Sequence, residues 1–185
     1  MYYQLSEFYK RDVSFVFNEE TNGLDYFGLM NGDKVNYEKV IYYDVDKLDK
    51  YINDYDILPT MGAPLVSEKF KNTFNHLLRE KIDFFEVEIK DEKGNINKDF
   101  YCFNIINSIS CMDNEKYIVE KTRYETISIK ELYIEPNSLK EYSIVRMEEH
   151  KSYIIVSEEF KKRCKEAKLK GIEFIEEGHS IYTNL

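Results

Sequence analysis

Tryptophan is absent from this chain, and glycine, proline, cysteine and histidine are scarce, at seven, three, three and three residues out of 185. Each shortage removes a class of chemistry. So few glycines leave no room for a glycine-rich phosphate loop, and neither a nucleophile elbow nor a paired-histidine zinc motif is present. His76, His150 and His179 are too scattered to suggest a metal site. Cys102, Cys111 and Cys164 match no zinc or redox spacing, which fits a reducing compartment and a role as small apolar side chains. No apolar run reaches the roughly eighteen residues of a membrane span, and MYYQLSEFYK lacks the basic start and apolar core of a signal peptide. The expectation is a cytoplasmic protein without cofactor or membrane contact.

What the chain does contain is apolar and aromatic material: 43% hydrophobic residues, 15% aromatic ones and sixteen tyrosines. That is enough to fold one ordinary domain, residues 1–185, without disulfide or metal support. The net charge is -9 and the isoelectric point near 5.0. Phosphate binding needs a basic face, so nucleic acid is an unsuitable partner and a basic protein a natural one. Lysine, asparagine and isoleucine are favoured over arginine and alanine, the bias of an AT-rich, bacterial genome.

The first sixty residues read as short strands, with YYQL, then VSFVF alternating Val13, Phe15 and Phe17 against Ser14 and Val16, then KVIYYDV. Asn22-Gly23 and Asn31-Gly32-Asp33 read as turns between them. The acidic stretch DVDKLDKYINDYD follows, where Leu48, Ile52 and Tyr55 are spaced for a short helix. ILPTMGAP then breaks the pattern.

Next comes a unit that the chain states twice. VSEKFKNTFNHLLREKIDFFE, residues 66–86, aligns without a gap on VSEEFKKRCKEAKLKGIEFIE, residues 156–176. Repeats of this kind signal a recurring supersecondary unit. Ser67 and Ser157 suit N-caps, and Glu68 and Glu158 suit the positive end of a helix dipole. Phe70, Phe74, Leu77 and Leu78 form one buried stripe, and Phe160, Cys164 and Ala167 share its phase, which places His76 and Glu166 on the outer face. Each helix runs into Ile-acid-Phe and a further apolar residue, Phe85 or Ile175, where the period-two alternation slips and a shared turn or bulge would account for it. Duplication and convergent packing both explain the repeat, and chance likeness of two amphipathic helices is the plainer alternative. Phe85, Val87 and Ile89 continue a strand, which turns at Asp91-Glu92-Lys93-Gly94-Asn95 and returns as FYCFNII. YIVEK, YETISIKELYI and YSIVRM add further antiparallel strands. The predicted fold is α+β, with mostly antiparallel sheet and two similar amphipathic helices over about 67–80 and 157–169.

No catalytic set emerges. Ser67 and Ser157 have no base or oxyanion donors in prospect, so capping is their role and the chain is not read as an enzyme. Asp44, Asp46, Asp49, Asp54 and Asp56 lack the glycine and closing glutamate of a calcium loop. Two readings of that cluster stay open: a solvated face, or a recognition surface. In the second, Tyr51 and Tyr55 supply contact area while Asp46, Asp49, Asp54 and Asp56 steer a basic partner.

The order of DVSFVFNEETNGLDYFGLMNG, ILPTMGAPLVSEKFKNTF, IDFFEVEI, FYCFNIINSISCMD and IIVSEEFKKRCKEAKLKGIEFIE resembles a bacterial immunity-protein family, the eleventh type of the polymorphic toxin systems and formerly a domain of unknown function. Its most specific parts are the Val-Ser-Glu helix start after a proline loop, the span from Asn104 to Cys111 and Asp113, and the terminal IIVSEEFK segment. None is catalytic. The resemblance implies a small cytoplasmic protein that binds and neutralises a cognate toxin and so protects the cell that makes it. A ligand-binding or adaptor domain without a toxin is the alternative.

Overall fold

The computed structural model describes residues 1–23, 26–60, 63–75, 82–121, 127–140 and 142–179. In chain order they form β1 (Tyr2–Glu7), β2 (Val16–Phe17), α1 (Glu19–Asn22), α2 (Tyr26–Asn31), β3 (Ile41–Val45), a single 3-10 turn (Ile52–Asp54), β4 (Ile57–Leu58), β5 (Leu65–Ser67) and α3 (Glu68–Phe74). Then follow β6 (Ile82–Asp91), β7 (Ile96–Asn97), β8 (Phe100–Ile105), β9 (Ser108–Ile109), β10 (Ile118–Lys121), β11 (Ile127–Glu131), β12 (Ile144–Met147), β13 (Ile154–Ser157), α4 (Glu158–Glu166) and β14 (Ile172–Glu176). A seven-stranded sheet runs β2-β3-β6-β8-β5-β4, with β7 beside β6, and a five-stranded sheet runs β14-β1-β13-β12-β9. Strands β10 and β11 form a separate hairpin. Among the described strands, β3 with β6 and β9 with β12 pair in parallel and the rest antiparallel, so the architecture is mixed, dominated by antiparallel sheet.

Three sequence expectations need correction. Asn22-Gly23 and Asn31-Gly32 are not turns between strands but the ends of α1 and α2, and Gly23 closes α1 at a φ of 57°. Helices of four and six residues are too short to display a 3.6-residue stripe, so nothing in the hydrophobic pattern announces them. The helix expected across Leu48, Ile52 and Tyr55 shrinks to the 3-10 turn, because the Asp49 carboxylate accepts the Tyr51 N–H at 2.6 Å and holds the backbone in a local turn. No bulge accompanies the slip in β6, since its ladder with β8 runs unbroken from Ile82↔Ile105 to Glu86↔Tyr101. Instead both faces of the strand are covered: Ile82 and Phe84 meet one apolar cluster, Phe85, Val87 and Ile89 another. Of the first expected helix, residues 76–80 lie outside the described residues, His76, Leu77 and Leu78 among them.

The two stretches that repeat in sequence occupy matching sheet registers. In the first, β8 lies between β5 and β6, so that Val66 and Glu86 both pair with Tyr101, and Leu65 and Phe85 both pair with Cys102. In the second, β1 lies between β13 and β14, so that Val156 and Glu176 both pair with Tyr3, and Ile155 and Ile175 both pair with Gln4. The outer neighbours follow suit, Ile57 pairing with Val66 and Ile144 with Val156. Even a surface contact recurs: Lys71 Nζ stands 3.7 Å from the Tyr101 ring centroid and Lys161 Nζ 3.5 Å from that of Tyr3.

The helices begin alike, with the Ser67 hydroxyl accepting the Phe70 N–H at 3.1 Å and the Ser157 hydroxyl accepting the Phe160 N–H at 3.3 Å. Their buried residues, Phe70 and Phe74 on α3 and Phe160 and Cys164 on α4, meet in a central cluster supplied by both sheets. There the Phe74 and Phe160 rings stack at 4.3 Å between centroids. Glu166 faces water. A second cluster fills the curve of the seven-stranded sheet, whose first and last strands approach through a Phe15↔Thr60 bridge. A third lies on the other face of the five-stranded sheet, around Cys111, Leu139, Met147 and Ile155.

Because Phe160 touches both helices, Phe160→Ala should lower unfolding stability by about 3–5 kcal/mol in urea titration. Ser157→Ala should cost only about 1 kcal/mol, the worth of a cap. An effect of Ser157→Ala on partner binding at full stability would show that the serine is a contact and not a cap.

Candidate partner-binding surface

Strand β2 begins the seven-stranded sheet, and β3 holds it there through Val16↔Asp44 and Phe17↔Tyr43. The alternation sends Phe15 and Phe17 into the core and leaves Val16 48% exposed. Next to Val16 lies a groove of about 600 Å³ whose walls carry Asp12, Asp44, Asp46 and Glu92 around Val13 and Val16. No basic side chain lines it. Asp46 is paired with Arg11 at 2.8 Å, and Asp44 accepts a hydrogen bond from the Asn18 amide at 2.7 Å. A smaller cavity of about 160 Å³, lined by Val16, Phe17, Glu19 and Tyr26, shares the Val16 wall. The hydroxyl of Tyr26 is buried and has no hydrogen-bond partner among the described residues.

The sequence-predicted residues separate into exposed and engaged groups. Asp46 and Asp54 are exposed. Asp49 is half-buried, and it accepts hydrogen bonds from the Tyr9 hydroxyl at 2.9 Å and from Arg11 at 3.2 Å. Burial alone would push its carboxyl up, but the Tyr51 N–H, the Tyr9 hydroxyl and Arg11 together hold it below the usual carboxylate range. Tyr51 lies under the Lys10 ammonium at 3.3 Å, and Tyr55 packs edge-on against Tyr9 at 4.7 Å. Asp56 does not belong to a solvated face. It is 7% exposed, and its carboxylate accepts the Ser67 hydroxyl at 2.6 Å and the Lys170 N–H at 2.8 Å. Short acidic runs look uniform in sequence, whereas the turn at Ile52–Asp54 points alternate carboxylates in and out. Asp12 and Glu92 were missed because they are remote in sequence from Asp44, and only the pairing of β2 with β3 and β3 with β6 brings these strands side by side.

Another polar cluster is buried and serves the fold. Arg146 is 1% exposed and donates to the carbonyls of Ile105 at 3.0 Å, Lys151 at 2.8 Å and Leu29 at 3.2 Å. Gly32, at a φ of 73°, sits so close that a Cβ would meet the Ile105 carbonyl and the Arg146 side chain. Asn104 fixes the same corner by donating to the Asp33 carbonyl at 2.8 Å. Burial pulls the Arg146 guanidinium down to about 10, and burial pushes Glu7 up to about 7 against the opposing pull of its own N–H and of Arg146. All three cysteines are free and buried, and burial pushes each thiol up to about 12, so none presents a thiolate. Asp113 is buried at a turn, accepting from the Glu115 N–H at 3.1 Å and the Lys116 ammonium at 2.7 Å.

The model of an immunity protein family, Imm11, matches residues 31–179. The chain belongs to that family. A comparison with curated proteins gave no match. The Imm11 span contains both long helices, Arg146, Asn104, Asp44, Asp46 and Glu92, so one wall of the acidic groove lies inside it. Asp12, Val13 and Val16 lie ahead of the Imm11 match. The three residues that mark the motif, Asn104, Cys111 and Asp113, are buried in this Imm11 protein, while Ser110 between them is exposed.

Two measurements test these assignments. Asp56→Asn should lower stability by roughly 1–3 kcal/mol through loss of its charge-assisted hydrogen bonds, with the rate of partner association unchanged in the folded fraction. Glu7 holds its proton more tightly folded than unfolded, so the stability it contributes is full below about 4.5 and is lost as pH rises through about 7. In urea midpoints taken at pH 5 and pH 8, Glu7→Gln should therefore gain on the wild type at pH 8. An equal difference at both pH values would contradict the assignment.

Proposed function

We propose that this protein binds a cognate bacterial toxin and neutralises it by covering the toxin's working surface, with no chemistry of its own, so protecting the cell that makes it. The observation that carries this reading is the Imm11 match over residues 31–179. The net charge of -9 supports it: an inhibitor must reach the toxin before the substrate does, and a strongly negative chain associates fast with a basic toxin. Asp46 and Asp54 are the steering charges of the acidic segment, while Asp49 holds the Tyr51 backbone and the Tyr9 hydroxyl, with Tyr51 and Tyr55 as contact residues. The protein acts in the cytoplasm. Among the described residues, no helix is long and apolar enough to cross a membrane.

The acting unit is one immunity-type domain spanning residues 1–185, built on a duplicated helix–strand repeat over 66–86 and 156–176 with two similar amphipathic helices. The shared registers about Tyr101 and Tyr3 support the duplication. Chance likeness of two helices carries no consequence for the strands that flank them.

The test is co-expression with the protein encoded beside this one. A complex that survives purification and restores growth to cells expressing the neighbour is the expected result. Association that slows as salt is raised would identify the partner as basic. Failure to bind or to protect would overturn the reading, and turnover of any substrate by the purified protein would replace it with an enzymatic one.

A further inference from the structure

The geometry around Val16 points to a docking groove for a basic segment of the toxin, one that lays an aliphatic side chain over Val13 and Val16 while its lysine or arginine groups meet Asp12, Asp44, Asp46 and Glu92. This rests on the proposed immunity function and names the chemistry of the partner. Three observations converge on it. The groove, at about 600 Å³, is large enough for a short run of side chains, and its lining contains four carboxylates and no basic side chain. Arg11 compensates Asp46, and among the described residues the other three form no salt bridge. A basic segment is therefore attracted, and an acidic or neutral one is not.

The apolar part is equally specific. A strand residue facing water is ordinarily polar, yet Val16 is 48% exposed between two cavities, and Phe27 on α2 is 59% exposed. Aliphatic surface ringed by carboxylates has the anatomy of an interface, with an apolar centre that excludes water and a charged rim that sets register and encounter. The adjoining cavity, lined by Phe17, Glu19 and Tyr26, extends the same apolar wall and adds a further carboxylate. The Val16 wall lies outside the span that matches the family, while the Asp44, Asp46 and Glu92 wall lies inside it.

The test uses the full chain and the protein encoded beside it, in stopped-flow association and equilibrium titration. Asp12→Asn/Glu92→Gln alters two exposed side chains and should slow association severalfold at low salt, with a shallower salt dependence. Val16→Lys places a positive charge at the apolar centre and should weaken binding by tenfold or more. Circular dichroism checks that both variants are folded. If both bind like the wild type, the groove is overturned and the immunity function stands, with its interface elsewhere. If the wild type itself neither binds nor protects, both readings fall together.

Discussion

The stacking of Phe74 on Phe160 is the contact on which the rest of the structure depends. Each ring belongs to a helix that opens directly from a sheet strand, so a helix cannot shift without pulling β5 or β13 from its register. Burying two phenylalanines between the helices, with Phe70 4.9 Å from Phe74 and Phe103 in turn 5.1 Å from Phe70, locks one sheet onto the other. A fully buried aromatic side chain contributes about 3–5 kcal/mol, a large share of the net stability of a domain. Cys164 completes the cluster as a small buried side chain on α4.

Joining two sheets through one apolar layer has a consequence for the polar groups. The backbone at the junction cannot all be paired within strands, and carbonyls such as those of Ile105, Lys151 and Leu29 need donors from elsewhere. Arg146 supplies them, which explains a guanidinium buried without a carboxylate in contact. Asp56 does the reverse, offering acceptors to Ser67 and to the Lys170 N–H, and so ties the start of α3 to the approach to β14. These residues are charged for structural reasons. Four other carboxylates, Asp12, Asp44, Asp46 and Glu92, line the groove beside β2 and β3.

Much of this was legible in advance. Period-two alternation located β1, β3, β6, β8 and β12, and the cap chemistry of Ser67 and Ser157 located two helix starts, because each is a local preference that needs no partner to express itself. The acidic segment was also visible. What misled was its uniformity: five aspartates in thirteen residues look like one surface, while Asp56 is engaged inside the fold and Asp46 is exposed. The slip in β6 suggests a turn or bulge because a strand covered on both faces breaks alternation in the same way.

By itself, then, the sequence determined the class of the fold, the two helix starts, the ninety-residue offset of the repeat, the buried character of the cysteines and the net charge that favours a basic partner. These follow from composition, local hydrogen bonding and periodicity. Tertiary structure alone decided that β8 and β1 fill matching places between the repeated strands, that Arg146 is a core residue, and that Asp12 and Glu92 join Asp44 around Val16. The physical reason is the same in each case. Strand pairing brings together residues far apart along the chain, and no local preference of either partner encodes which distant strand it will meet.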